Sequence, residues 1–385
     1  MRPFGNFKKR ILNVGEAPGE TEDNKGRQWQ GKVGKALKKA FEKFGVDLFE
    51  DCININAINC RPTDEDGNNR KPTTQEIACC RNKILRVIDE YKPKLIILFG
   101  DSAVNSLIGH RWKKDLGTIS KWRGWTIPDR DFGCWVCPCY HPSYMERGDN
   151  EVETIWMQDL ENVLAMVDVP FPDFPDERKQ VVILDDPDEL ERVLAELAAG
   201  SFPPDPNLLA VDIETTGLKP HSDGHRIVSW AFSDNPNRAY SFLHPRNRRY
   251  QRLIRKLLES NVGKAAQNMK FEQAWIKCLM KTDVNNWTWD TMLAAHMLDN
   301  RPGITGLKFQ TYINFGVVNY DSETEPYLKG SDSKSANSKN KIEKLLETRQ
   351  GTERLLLYGG MDALFTYKLA LKQNLEIVQQ KKYEY

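Results

Sequence analysis

Leu208-Leu209-Ala210-Val211-Asp212-Ile213-Glu214-Thr215-Thr216-Gly217-Leu218 is an apolar run that carries two carboxylates at alternate positions and closes at a glycine. Such a run reads as a buried strand ending at a turn. Side chains alternate along a strand, so Asp212 and Glu214 point to one face. Like carboxylates in one pocket push each other's pKa up, and burying both without a counter-charge is costly. A pair of divalent cations removes that conflict. The bland alternative is a strand end with two solvated acids.

Two blocks downstream supply partners. Gln267-Asn268-Met269-Lys270-Phe271-Glu272 reads as a strand-to-helix junction with a further acid, and Tyr358-Gly359-Gly360-Met361-Asp362-Ala363 as part of a helix. Tyr358 and Asp362 stand at i, i+4 and share a helix face. Four carboxylates and a tyrosine are the parts of a two-metal phosphodiester hydrolase. Asp290, ahead of the apolar run to Leu298, is expected to cap a helix rather than bind metal.

In this order D-I-E-T-T-G-L, N-x-K-F-E and Y-x-x-x-D resemble the proofreading 3′–5′ exonuclease domain of family A DNA polymerases, of the ribonuclease H-like DEDDy type. The likeness covers about residues 180–385 and includes Asp290-Thr291-Met292-Leu293-Ala294-Ala295-His296. It implies a catalytic set of Asp212, Glu214, Glu272, Tyr358 and Asp362. Asp212, Glu214 and Asp362 would hold one ion, Asp212 would share a second, and Tyr358 would orient the attacking water. Hard oxygen ligands favour two Mg²⁺ or Mn²⁺ ions over Zn²⁺. The second motif commonly ends in Asp; Glu272 keeps the charge on a longer arm. The implied substrate is the 3′ end of single-stranded DNA, with the polarity resting on the resemblance alone. A family A polymerase continues beyond this helix, so a DNA polymerase is expected further along or on a separate chain, as in a bacteriophage.

The first part alternates strands and helices. Ile11–Val14, Cys52–Ala57, Leu95–Phe99 and Trp135–Cys139 read as strands, and helices are expected at Val33–Phe44, from Thr73-x-x-Glu76 to about Tyr91, and at about Val152–Met166. Thr73 with Glu76 makes a capping box. This pattern predicts a three-layer α/β domain. Gly15-Glu16-Ala17-Pro18-Gly19 opens a loop whose glycines let backbone N–H groups approach a ligand, and Trp29 could stack on a base. Gly15 to Asp23, Asn56 ahead of Cys60-Arg61-Pro62, and His141-Pro142-Ser143-Tyr144 together resemble the uracil-DNA glycosylase superfamily, in its iron–sulfur, thermophile-type branch, over about residues 9–165. The resemblance implies that Glu16 and Ala17 line a uracil pocket, that Trp29 stacks, that Asn56 reads the base and that His141 stabilises the departing uracil anion. That branch carries an iron–sulfur cluster. Here no cysteine precedes Cys52, which leaves Cys60, Cys79, Cys80, Cys134, Cys137 and Cys139 as candidate ligands, or as ordinary buried thiols where they alternate on a strand.

Composition is that of a globular chain: 385 residues, 40% hydrophobic, 28% charged. A net charge of +1 means that nucleic-acid binding must come from local patches. No apolar run approaches the roughly 18 residues that span a bilayer, and Met1 to Gly5 lacks a signal-peptide core, so no membrane partner and a cytoplasmic setting are expected. Pro170, Pro172 and Pro175 break the pattern. The expected division is a glycosylase-like domain over 1–168, a Pro-rich linker over 169–180 and a ribonuclease H-like domain with a mixed sheet over 181–385. Within the last, the polar stretch 320–340 is expected to be a flexible insertion. The function expected is a proofreading-type exonuclease fused to a glycosylase-like DNA-binding domain. The alternatives are a bifunctional repair enzyme that excises uracil and trims ends, and a non-catalytic subunit that docks a polymerase on DNA.

Overall fold

The computed structural model describes residues 1–147, 150–200, 207–330, 332, 335 and 337–381. Residues 201–206, and residues 331, 333, 334 and 336 of the 320–340 stretch, lie outside the described residues. The chain divides into two compact units. One comprises Met1–Asp173 and Tyr312–Asn319, the other Phe174–Thr311 and the chain from Tyr320 onward. The break at Asp173 falls inside the Pro-rich stretch. The grouping of Tyr312–Asn319 with the first unit is non-sequential, and no local composition marks it.

In the first unit the elements run β1 (Ile11–Gly15), α1 (Glu20–Lys25), α2 (Lys32–Lys43), β2 (Cys52–Asn56), α3 (Thr74–Tyr91), β3 (Leu95–Phe99), α4 (Gly100–Arg111), α5 (Ile119–Trp122), β4 (Ile127–Asp129), β5 (Cys134–Cys139) and α6 (Asn150–Ala165). The sheet order is β2-β1-β3-β5-β4, parallel except at β4. Every residue of β1, β2 and β3 is buried, as a parallel sheet covered on both faces requires. Ile11, Leu95, Ile97, Phe99, Cys137 and Cys139 pack with Phe41 of α2 and Trp156 and Leu160 of α6. The alternate residues, Leu12, Ile96 and Val136 among them, face the other side, and α4 packs on the same strands. The result is three layers. Thr73 and Glu76 form the capping box of α3.

The second unit runs β6 (Val181–Ile183), α7 (Pro187–Ala199), β7 (Leu208–Thr215), β8 (Ile227–Asn235), β9 (Arg238–Leu243), α8 (Arg248–Leu258), β10 (Gly263–Ala266), α9 (Met269–Trp275), β11 (Trp287–Asp290), α10 (Thr291–Leu298), α11 (Leu307–Phe315, grouped here as far as Thr311), α12 (Glu325–Leu328) and α13 (Arg349–Lys381). Its mixed sheet has the order β11-β10-β7-β8-β9-β6, with β8 antiparallel to both neighbours. The parity of β7 decides the rest. Leu209, Val211 and Ile213 join a core with α7, α8 and Trp275, whereas Leu208 and Ala210 pack against Tyr367 and Ala370 of α13. Asp212 and Glu214 share the parity of Leu208 and therefore lie on the α13 face. Gly360 lets α13 come close, since a Cβ there would stand 2.3 Å from Val181 of β6.

Asp290 closes two helix ends at once. Its carboxylate accepts from Met292 and Leu293 N–H at the start of α10 and from Asn268 and Met269 N–H at the start of α9. Asn268 is in the left-handed region, φ 66°. One buried acid thereby orients α9, which carries Glu272. Asp290→Ala strands four donors, so it should cost more than the ~1 kcal/mol of a single lost cap, about 2 kcal/mol or more. Urea unfolding of the second unit checks this; a change within ~0.5 kcal/mol would remove Asp290 from the role.

Candidate active site

β7 and α13 bring three carboxylates together. Asp212, Glu214 and Asp362 each offer a ligand oxygen, and these oxygens lie within 4.8 Å of one another. Asp362 is buried, and the backbone of α13 runs so close that a Cβ at Gly359 would be 3.7 Å from Asp212 Oδ2. Burial, and then the Asp362 carboxylate, push the Asp212 carboxyl well above the ordinary range, while Lys308 partly offsets them. Glu214 is raised in the same way by burial, Asp212 and Asp362. Glu272 is buried on α9, raised by burial and by Asp212, and stands outside the group of three. Asp212 Oδ2 and Glu272 Oε2 are both buried without a hydrogen-bond partner. Unpaired buried carboxylate oxygens, all hard donors, fit a divalent cation of the Mg²⁺ or Mn²⁺ class.

Tyr358 lies one turn before Asp362, and its hydroxyl is pushed well above its usual pKa by burial and by Asp362 and Glu214, so it stays protonated. Two further residues join the site that motif reading missed. Lys308 of α11 pairs with Asp362, and Tyr320 donates its hydroxyl to Asp362 Oδ1 at 2.6 Å. Lys308 stands alone as a cation among Ile304, Leu307, Phe309 and Tyr312, which was the available signal. Tyr320 was assigned to the polar stretch 320–340, yet Tyr320, Asp321 and Thr324 are buried. Of the three carboxylates, Glu214 lines a cavity of about 680 Å³, together with Leu218, Phe271, Leu328, Lys329 and Asn340. A larger one of about 910 Å³, against Leu190, Phe242 and Tyr250, holds none of them.

In the first unit a second cluster forms where β1, β2 and β5 end. Gly15 pairs with Asn56 in register, and a Cβ at Gly15 would stand 2.5 Å from Asn56 Oδ1 and 2.9 Å from the Trp29 ring. Only glycine fits there. Trp29 is buried with φ 59°, tilted against His141 with ring centroids 5.8 Å apart. Ser102 Oγ donates to Glu16 Oε2 at 2.9 Å, and Ala17 follows in the half-buried loop after β1. Burial pulls His141 down to about 4, so it is neutral at pH 7. Its Nδ1 accepts from the Ser143 N–H, which puts the proton on Nε2.

Among the described residues the six candidate cysteines do not converge as a group of three ligands. Burial raises the thiols of Cys137 and Cys139 well above their ordinary value, and Cys134 upward. Cys60 and Cys79 are exposed and Cys80 is half-buried. Among the described residues none of these six joins the group of three converging ligands. No helix among the described residues is long and apolar enough to cross a membrane.

Strand order, the carboxylate triad and the helix that carries Tyr358 and Asp362 define an exonuclease of ribonuclease H-like fold. The chain belongs to the 3′–5′ exonuclease family over residues 181–377, and to the uracil DNA glycosylase superfamily over residues 2–161. A type-4 uracil-DNA glycosylase of Thermotoga maritima is 35% identical over 164 residues, 42% of this chain and 80% of that protein. A DNA polymerase of Bacillus phage SP01 is 29% identical over 328 residues, 78% of this chain; the chain spans 34% of that polymerase's length. Among solved structures, Escherichia coli RNase D, an exoribonuclease involved in structured RNA processing, gives a TM-score of 0.36 at 15% identity, covering 51% of this chain and 44% of that one.

His141 yields a pH prediction. Its folded value, about 4, lies below its ordinary 6.5, so as pH falls the unfolded chain takes up the proton first. The stabilising contribution is whole above 6.5 and is lost between about 6.5 and 4. His141→Gln should flatten the acid decline of the first unit's melting temperature in that window. A decline identical to the native chain's would show that His141 is not the group responsible.

Proposed function

We propose that the second unit removes nucleotides from the 3′ end of single-stranded DNA in the manner of a proofreading exonuclease, serving replication or repair. The observation that carries this is the convergence of Asp212, Glu214 and Asp362 beside Tyr358. These three carboxylates would hold the divalent ions, Asp212 being shared. When bound, the ions supply the charge that activates water and stabilises the leaving 3′ oxygen. The chain's own residues do the rest. Tyr358, kept protonated, orients the attacking water, and Glu272 reaches toward the same centre with the unpaired Oε2. The cavity against Leu218 and Phe271 receives the terminal nucleotide; its volume lies within the roughly 300–1,000 Å³ of small-ligand sites. Asp212→Ala with Glu214→Ala should lower Mg²⁺- or Mn²⁺-dependent digestion by well over the roughly 10–100-fold that loss of an outer hydrogen-bond partner costs. Strands labelled at the 5′ or the 3′ end measure both rate and polarity. Unchanged digestion by the double variant would overturn the assignment.

The first unit we read as a glycosylase-like module that contacts DNA. Its Gly15, Trp29, Asn56 and His141 cluster also favours a second reading, in which it excises uracil: Asn56 would read the base edge, Trp29 would stack, and the Nε2–H of neutral His141 would donate to the developing anion. Uracil release from a single-stranded oligonucleotide, abolished by Asn56→Ala, is the expected result; no release at high protein concentration would leave only the binding role. The phage polymerase match supports service to a polymerase. That match covers 78% of this chain, more than the span of either family, so it reaches into both units. Co-purification with a DNA polymerase, or synthesis by the same chain, tests this.

A further inference from the structure

Asp362 is approached by two donors on one of its oxygens. Lys308 pairs with Oδ1, and Tyr320 gives its hydroxyl to the same atom at 2.6 Å. Oδ2 takes neither of these bonds. Lys308 is itself held in place: its ammonium sits 4.0 Å from the Tyr320 ring centroid and 4.3 Å from that of Tyr358. Both lysine and aspartate are recessed, with side chains 16% and 8% exposed, so neither wanders in solvent. Packing against aromatic faces fixes an ammonium by cation–π attraction. One lysine therefore touches both residues of the third motif, the acid by charge and the tyrosine by its ring face.

We propose that Lys308 and Tyr320 are positioning residues that clamp Asp362 Oδ1, so that its other oxygen is presented to a divalent ion together with Asp212 and Glu214. A metal-ligating carboxylate fixed by outer hydrogen bonds loses less freedom on binding, and loss of such partners lowers metal affinity. A bare cation beside the site, with no orienting role, would have the opposite effect, because its charge repels the metal ion. The sign of the change therefore separates the two.

The inference rests on the metal reading of this site, and calorimetric titration of the DNA-free protein with MnCl₂ tests both. Lys308→Met, which keeps the length of the side chain, should weaken Mn²⁺ binding by about 10–100-fold. Tyr320→Phe removes the hydroxyl alone and should weaken it in the same direction by a smaller factor. Lys308→Arg keeps the charge over the tyrosine rings and should recover most of the affinity. If Lys308→Met fails to fold, Tyr320→Phe decides. Unchanged or tighter binding in the variants overturns the clamp while leaving the metal site standing. No Mn²⁺ binding by the native chain overturns the metal reading and the clamp with it.

Discussion

Mutual repulsion among Asp212, Glu214 and Asp362 is the constraint on which the second unit depends. Three carboxylates whose oxygens approach within 4.8 Å would separate if their supports were flexible. Each support is rigid. Asp212 and Glu214 stand on a strand paired with β8 along their stretch and with β10 just before it, and Asp362 lies in a 33-residue helix packed onto the same sheet. Gly360 removes a side chain that would hold the helix off β6, where a Cβ would stand 2.3 Å from Val181. Asp212 Oδ2 remains buried with no hydrogen-bond partner within that group, and Glu272 Oε2 is left the same way outside it.

The supports extend outward from the acids. Asp290 ties the starts of α9 and α10 to one carboxylate, which orients Glu272 without touching the centre. Lys308 and Tyr320 converge on Asp362 from α11 and from the chain that follows it. Buried polar groups placed this way are satisfied by partners far apart in sequence, and their energies depend on the low local dielectric.

In the first unit the organising feature is close contact rather than charge. Asn56 and the Trp29 ring crowd Gly15 until no Cβ fits, and His141 completes the cluster as a neutral imidazole. Two cysteines that invite a metal by spacing, Cys137 and Cys139, instead pack with Phe41, Phe99 and Trp156 in the core. Their strand periodicity already allowed that outcome. Spacing alone could not place them there, because burial is a property of the folded sheet.

The strand holding Asp212 and Glu214, the junction carrying Glu272 and the helix with Tyr358 and Asp362 were legible because period-2 and period-3.6 patterns act over a few residues. The same holds for the capping box of α3 and the parallel strands of the first unit. Short elements with weak patterns became visible only through the sheet: Gly263–Ala266 as a partner of β7, and Trp287–Asp290 as the neighbour of Gly263–Ala266. Residue types and local periodicity determined that this chain carries a strand with paired acids and a helix with a tyrosine and a third. Only the tertiary structure decided that Lys308 and Tyr320 join Asp362, because that contact spans 54 and 42 residues of chain and is selected by packing and desolvation, which no local pattern encodes.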